Sequence, residues 1–241
     1  MPFFSVITIN YNNLSGLRNT FASVVHQTFP SFEFIVIDGE STDGSKEFIL
    51  ANESKVNYWI SEKDSGVYHA MNKGIQQSNS AYLIFLNSGD CFASEDVLLR
   101  VKEAYSNHSD ILYGCHLWKN SGERWNPKTG YKFRDIVHIT PVSHQATFYK
   151  KEVLIELGSF DESNKIISDW AFFIKALLTK KSFQKISLDI CIAEEPGESN
   201  VSFSAIQLER KKYLLKKHFF RYFIYLFFES PVVFIKRNFS K

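Results

Sequence analysis

Three stretches of this chain are apolar with little alternation: Phe3–Asn10 (FFSVITIN), Glu33–Asp38 (EFIVID) and Ala81–Asn87 (AYLIFLN). Such runs predict strands covered on both faces. Between them apolar residues return at helical spacing. Leu17, Phe21, Val24 and Val25 predict a helix over Leu14–Gln27, with Pro30 beyond its end. Ser41, Thr42 and Asp43 offer capping side chains for a second helix through about Asn52. Val67, Ala70, Met71, Gly74 and Ile75 mark one face of a third. Strand alternating with helix predicts a parallel sheet with right-handed crossovers.

The later chain is less regular. Val56–Ser61, Ile111–Cys115, Gln145–Tyr149 and Phe183–Ile192 read as further strands. Trp170, Phe173, Ile174, Leu177 and Leu178 predict a strong helix starting near Asp169. Leu117–Thr140 carries Gly122, Pro127 and Gly130 and reads as irregular or hairpin-bearing. No internal repeat or low-complexity linker interrupts residues 1–204, so they are expected to form one domain, with 205–241 as a helical extension.

Composition adds bounds. A chain of 241 residues, 44% hydrophobic and 22% charged, can bury a sizeable core. Its net charge of +2 favours no particular partner, and no nucleic-acid role is expected. The charge is unevenly placed: nine Lys/Arg against two acids fall from Ala205 onward, which leaves an acidic body and a basic tail. The three cysteines, Cys91, Cys115 and Cys191, are widely spaced, so neither a zinc site nor a disulfide framework is expected. The first residues lack a basic n-region and a cleavage site, and no run reaches the about 18–20 apolar residues of a spanning helix. A cytoplasmic location is therefore expected.

The candidate chemistry lies in carboxylates. Neither G-x-x-x-x-G-K-[ST], nor G-x-G-x-x-G after the first strand, nor G-x-S-x-G is present, which removes support for two phosphate loops and a serine-hydrolase elbow. Acids instead fall at predicted strand ends and loops: Asp38, Asp64 and Asp90, with Asp169 at the start of a helix. Ligands of open α/β sheets gather at the carboxyl ends of strands. Asp38 there suits a base N–H or a ribose hydroxyl. Asp90, after the Ser88-Gly89 turn, suits Mg²⁺ or Mn²⁺ bridging two phosphates, with Lys73 adding a point charge. Each has a plainer alternative: Asp38 closing a turn, Lys73 a solvated helix residue, Asp90 and Asp169 helix caps.

Six segments in order carry a resemblance: SVITINYNN, FEFIVIDGESTDGS, EKDSGVYHAMNKGI, YLIFLNSGD, SHQATFYKKEVLIELGSFDE and SDWAFFIKAL. Together they resemble the family 2 glycosyltransferases over most of residues 3–180. The resemblance implies a GT-A fold: a Rossmann-like, mostly parallel α/β sheet flanked by helices. It implies that Thr8 and Asn10 line the nucleotide site, that Asp38 contacts uracil or ribose, and that Asp64 contacts base or ribose. Lys73 stands near the diphosphate, Ser88-Gly89-Asp90 in place of an Asp-x-Asp metal motif, and Asp169 at the catalytic base. The sequence departs where Ser88 replaces an acid and where Asp38-Gly39-Glu40-Ser41 replaces Asp-Asp-Gly-Ser. His144, near a predicted strand start, is a candidate second metal ligand; the alternative is a loop histidine bonded to backbone.

The expected activity is inverting transfer of a hexosyl or N-acetylhexosaminyl group from a UDP-sugar, with Mn²⁺ or Mg²⁺, to a glycan or lipid-linked acceptor in polysaccharide biosynthesis. A sugar-nucleotide nucleotidyltransferase is the rival enzyme class, but Tyr11–Leu14 supplies no basic, glycine-rich loop for a triphosphate. A catalytically impaired, membrane-associated nucleotide-binding scaffold is the non-enzyme alternative. The segment His218–Ile235, densely aromatic and preceded by Lys211, Lys212, Lys216 and Lys217, suits the interface of a membrane's inner face. The alternative is that the same Phe side chains pack on the body or on a second subunit of a homo-oligomer.

Overall fold

The computed structural model describes residues 1–106, 109–137, 139–194 and 202–226. Its first half follows the predicted alternation: β1 (Phe4–Asn10), α1 (Leu14–Val25), β2 (Phe32–Asp38), α2 (Ser45–Ala51), β3 (Tyr58–Ser61), α3 (Val67–Gln77) and β4 (Tyr82–Phe85). After these come β5 (Cys91–Phe92), α4 (Val97–Ala104), β6 (Ile111–Trp118), β7 (Arg124–Trp125) and α5 (Phe133–Ile136). The chain continues through β8 (Thr147–Lys150), α6 (Lys151–Glu156), α7 (Ser168–Leu178), β9 (Phe183–Ala193), α8 (Phe203–Lys217) and α9 (Phe219–Ile224).

The strands form one sheet in the order β3-β2-β1-β4-β8-β6-β9-β5, with β7 paired to β6. The β3-β2-β1-β4 block is parallel throughout, as is β6 with β9. Strands β8, β5 and β7 run antiparallel to their neighbours. The sheet is thus mostly parallel, as expected.

Alternate residues of β1 explain why the run is apolar on both sides. Phe4 and Val6 pack with Leu17, Phe21 and Val24 of α1 on one face. Ile7 and Ile9 pack with Met71 and Ile75 of α3 on the other, a core that also takes in Phe172 and Phe173 of α7. Helix α3 lies so close to β1 that a Cβ at Gly74 would stand 2.4 Å from Ile7 Cγ2. Alanine gains about 1 kcal/mol of helix propensity over glycine, but overpacking a rigid core costs about 1–3 kcal/mol. Because Ile7 is fully buried, the clash wins. Gly74→Ala is expected to lose about 1–2 kcal/mol, read as a lower denaturant midpoint with an unchanged slope.

The expected tail divides in two. Tyr213 and Leu214 of α8, with Tyr222 and Tyr225, pack on Ile136, Trp170 and Ile174. Arg210 is buried, its guanidinium 5.0 Å from the Trp170 ring centre and donating to Thr140 Oγ1 at 2.6 Å. Phe219, Phe220, Phe223 and Ile224 point outward and are exposed. The portion 227–235 of the predicted interfacial segment lies outside the described residues. No helix among the described residues is long and apolar enough to cross a membrane.

Candidate active site

The register of the parallel block sets three polar residues in a row, Asn10 against Asp38 and Asp38 against Ser61. Asp38 is fully buried and accepts four hydrogen bonds. Its Oδ1 takes Asn10 Nδ2 at 2.7 Å and Ser41 Oγ at 2.6 Å; its Oδ2 takes Ser41 N–H at 3.0 Å and Ser61 Oγ at 2.7 Å. Asp38 therefore knits three strand ends into a floor and is not itself on the cleft wall. Thr8 lies deeper, fully buried, its hydroxyl without a partner among the described residues. Asn10 does reach the cleft, and its Oδ1 has no partner among the described residues.

The cleft above this floor has a volume of about 650 Å³, a size suited to a nucleotide. Tyr11, Asp64, Asn87 and Ser88 are among its walls. Asp64 accepts from Gly66 N–H at 2.9 Å, and its Oδ2 leans over Gly39, where a Cβ would come within 2.9 Å. Lys73 stands behind this loop and not on the wall. Its ammonium pairs with Glu62 at 2.8 Å and donates to the Lys63 carbonyl at 3.2 Å.

The turn at 87–90 is braced from α1. Asn13 caps α1 by accepting from Gly16 N–H and donates from Nδ2 to the Ser88 carbonyl at 2.9 Å. Thr20 Oγ1 accepts from Gly89 N–H at 2.9 Å. Gly89 adopts φ +113°, and a Cβ there would stand 2.6 Å from the Glu194 carboxyl carbon. Asp90, 4% exposed, accepts from the Asn87 and Glu194 backbone N–H groups at 3.2 Å each. Burial pushes its carboxyl up to about 6, against the opposing pull of His144 and those two N–H groups.

The second carboxylate, Asp169, opens α7. Its Oδ1 accepts from Trp170 N–H at 2.8 Å and from the Tyr68 hydroxyl at 3.0 Å; its Oδ2 faces His144 Nδ1 at 3.3 Å. Burial would raise its carboxyl, but His144, the Trp170 N–H and Tyr68 together hold it below the usual value. The other His144 nitrogen, Nε2, lies 3.3 Å from Asn87 Nδ2. A hydrogen-bonded chain thus runs from Asp90 through Asn87 and His144 to Asp169 and Tyr68. The sequence-predicted Asp90, His144 and Asp169 are brought into one network, whereas Thr8, Asp38 and Lys73 support it from below and behind.

Among the described residues no group of three or more His, Cys, Asp or Glu side chains forms a metal cluster. The turn nevertheless suits a hard cation. Asn87 Oδ1 and Ser88 Oγ are buried oxygens without partners among the described residues, close in sequence to the Asp90 carboxylate. Magnesium-type ions commonly take one or two protein carboxylates and complete their shell with substrate phosphates and water. His144 has both ring nitrogens engaged and fits the Asp169 side better. Three site residues were not singled out by pattern: Tyr68, Asn87 and Glu194. Asn87 adjoins the Ser88-Gly89-Asp90 turn, and Tyr68 lies within the EKDSGVYHAMNKGI segment. Nothing local marks Glu194.

The cleft opens at the strand ends of a mostly parallel α/β sheet flanked by helices, the GT-A fold expected from the sequence. The sequence model of glycosyl transferase family 2 matches residues 5–171, and the chain belongs to that family. It is 35% identical over 182 residues to an uncharacterised glycosyltransferase of Mycobacterium tuberculosis strain H37Rv, covering 73% of this chain and 70% of the relative. It is 29% identical over 183 residues to a PGL/p-HBAD biosynthesis glycosyltransferase of the same strain, covering 72% and 69%. Among solved structures it is similar to S. aureus TarS 1–349 in complex with UDP-GlcNAc, with TM-score 0.65, 23% identity, and coverage of 84% of this chain and 61% of that one. It is also similar to a mannosyltransferase from Pyrobaculum calidifontis in complex with GDP-Man and Mn²⁺, with TM-score 0.66, 17% identity, and coverage of 89% and 62%. The chain spans 40% of the longer TarS chain. These likenesses show the fold.

Proposed function

We propose that this family 2 enzyme transfers a hexosyl or N-acetylhexosaminyl group from a UDP-sugar, with inversion, to a hydroxyl of a glycan or lipid-linked acceptor. The observation that carries the reading is the pair of carboxylates linked through Asn87 and His144 and shifted in opposite directions: Asp90 raised by burial, Asp169 lowered by three hydrogen-bonding partners. Separated tendencies of this kind mark distinct roles in one site. Uridine occupies the cleft, with Asp64 and the free Oδ1 of Asn10 as acceptors for base or ribose, on the floor that Asp38 organises. The diphosphate lies toward the 87–90 turn. Asp90, with the unpartnered oxygens of Asn87 and Ser88, would hold Mn²⁺ or Mg²⁺ there. Such an ion supplies positive charge against the departing diphosphate.

Asp169 is the base. An acceptor oxygen forms its bond to the anomeric carbon as the bond from that carbon to the phosphate oxygen breaks. UDP leaves with that electron pair, and the hydroxyl proton passes to the Asp169 carboxylate. His144 orients that carboxylate. A panel of UDP-sugars and GDP-mannose, assayed with Mn²⁺ for nucleoside diphosphate release that depends on added acceptor, tests the reading. Release from a UDP-sugar supports it. UDP binding without release from any donor would favour the scaffold alternative, for which Ser88 in place of an acid speaks.

The exposed Phe219, Phe220, Phe223 and Ile224 follow Lys211, Lys212, Lys216 and Lys217 in the chain, a composition suited to an anionic bilayer at the inner face of the membrane. Deleting α8 would remove Tyr213 and Leu214 and uncover Ile136, Trp170 and Ile174, so surface changes are the cleaner test. The triple substitution Phe219→Ser, Phe220→Ser, Phe223→Ser is expected to cut flotation with anionic liposomes about tenfold or more at unchanged Tm. Equal flotation would sink the membrane assignment.

A further inference from the structure

The hydroxyl of Tyr68 has one proton and two acceptors. It lies 3.0 Å from Asp169 Oδ1 and 2.9 Å from the Ile166 carbonyl oxygen. The ring is 8% exposed and packs 5.6 Å from Phe160, centre to centre. A buried hydroxyl set between a carboxylate and a carbonyl can serve only one of them while the carboxylate is ionised. Once the carboxylate carries a proton, both contacts can be hydrogen bonds at once.

We infer that Tyr68 is a positioning residue for the transfer reaction, a hydroxyl rotor that steadies Asp169 both as the ionised base and as the protonated acid. The inference rests on the assignment of Asp169 as the base. With Asp169 ionised, Tyr68 donates to Oδ1. When the acceptor proton has moved to Asp169, the new carboxylic O–H donates to the Tyr68 oxygen, and the Tyr68 proton turns to the Ile166 carbonyl. No proton is gained or lost by Tyr68, and neither state leaves its buried oxygen unpaired. A stabilised protonated form of the base is worth most as the proton arrives, which is where an interaction lowers the barrier. Burial and the Asp169 charge push the Tyr68 phenol well above its ordinary value, so it keeps its own proton. Trp170 N–H can only donate to Asp169, and His144 Nδ1 reverses its role only with a change of tautomer. Tyr68 exchanges roles by rotation of its hydroxyl alone.

The test is a cycle of four proteins: wild type, Tyr68→Phe, Asp169→Asn and the double variant. Tyr68→Phe keeps the ring against Phe160 and removes only the hydroxyl. It is expected to lower kcat about 10- to 100-fold, with KM for donor and UDP affinity within about twofold. In the Asp169→Asn background the same change is expected to cost nothing further in residual turnover, because Tyr68 acts through Asp169. Wild-type kcat in Tyr68→Phe, with Asp169→Asn inactive, would overturn the role of Tyr68 and leave the base in place. An equal loss in both backgrounds would likewise overturn it, as a structural effect. Full turnover in Asp169→Asn would instead overturn the base assignment, and the rotor with it.

Discussion

Asp169→Asn is expected to reduce kcat by about 10³-fold or more while UDP affinity stays within about twofold. An amide cannot take the acceptor proton, and it also puts an N–H₂ group against one of three donors that now converge on a carboxylate. The loss therefore falls on chemistry. In the proposed reading the nucleotide is held elsewhere, by the cleft that Asn10, Tyr11 and Asp64 line, and Asp169 is linked to that cleft through His144 and Asn87. Single-turnover rates with a UDP-sugar, beside a UDP titration of the same variant, check the split. Loss of UDP binding in step with turnover would refute the base assignment.

The second large effect concerns Asp90 and has opposite signs in function and stability. Its carboxyl is raised from 3.8 to about 6 by burial. A folded value above the unfolded one means the protonated form favours the fold. That contribution is complete below the unfolded value and is lost as pH rises through about 6. Two units correspond to about 3 kcal/mol. In the absence of metal, the wild type is therefore expected to lose about 2 kcal/mol relative to Asp90→Asn between about pH 4.5 and 7.5. Chemical denaturation of both proteins across that range measures it. A flat difference would show that Asp90 is not held in its charged form against the cost of burial. Function pays the other way: Asp90→Ala is expected to weaken UDP binding about tenfold or more in Mn²⁺ and little in EDTA.

The parallel half of the fold was legible because its strands are covered on both faces, so β1 and β2 read as unbroken apolar runs. Strand β4 is shorter than the run Ala81–Asn87 that announced it. Leu86 and Ser88 still donate to the Ile7 and Ile9 carbonyls, but the backbone is already turning toward Asp90. The reversal of β8 between β4 and β6 was not legible, since an apolar strand carries no mark of direction. The region Leu117–Thr140 resisted reading because its elements are small: a two-residue β7 and a four-residue α5 leave no period to detect. In the tail, Tyr213 and Leu214 look no different in sequence from Phe219 and Phe220, yet the first pair is core and the second is surface. The site divides similarly. Acids at strand ends pointed to Asp64 and Asp90 because parallel sheets open there. Tyr68 reads as one more apolar helix position, and its bond to a residue 101 positions away exists only once α3 and α7 share a core.

In the proposed reading the strand-end cleft binds UDP with help from a cation at Asp90. Calorimetric titration of UDP into the wild type with Mn²⁺, and again with EDTA, tests it most directly, with Asp90→Ala run under both conditions. Tight binding is expected only in wild type with Mn²⁺, and weak binding in the other three titrations. Equally tight binding in all four would remove the cation and Asp90 from donor recognition, and no binding in any would contradict the assignment of UDP to this cleft.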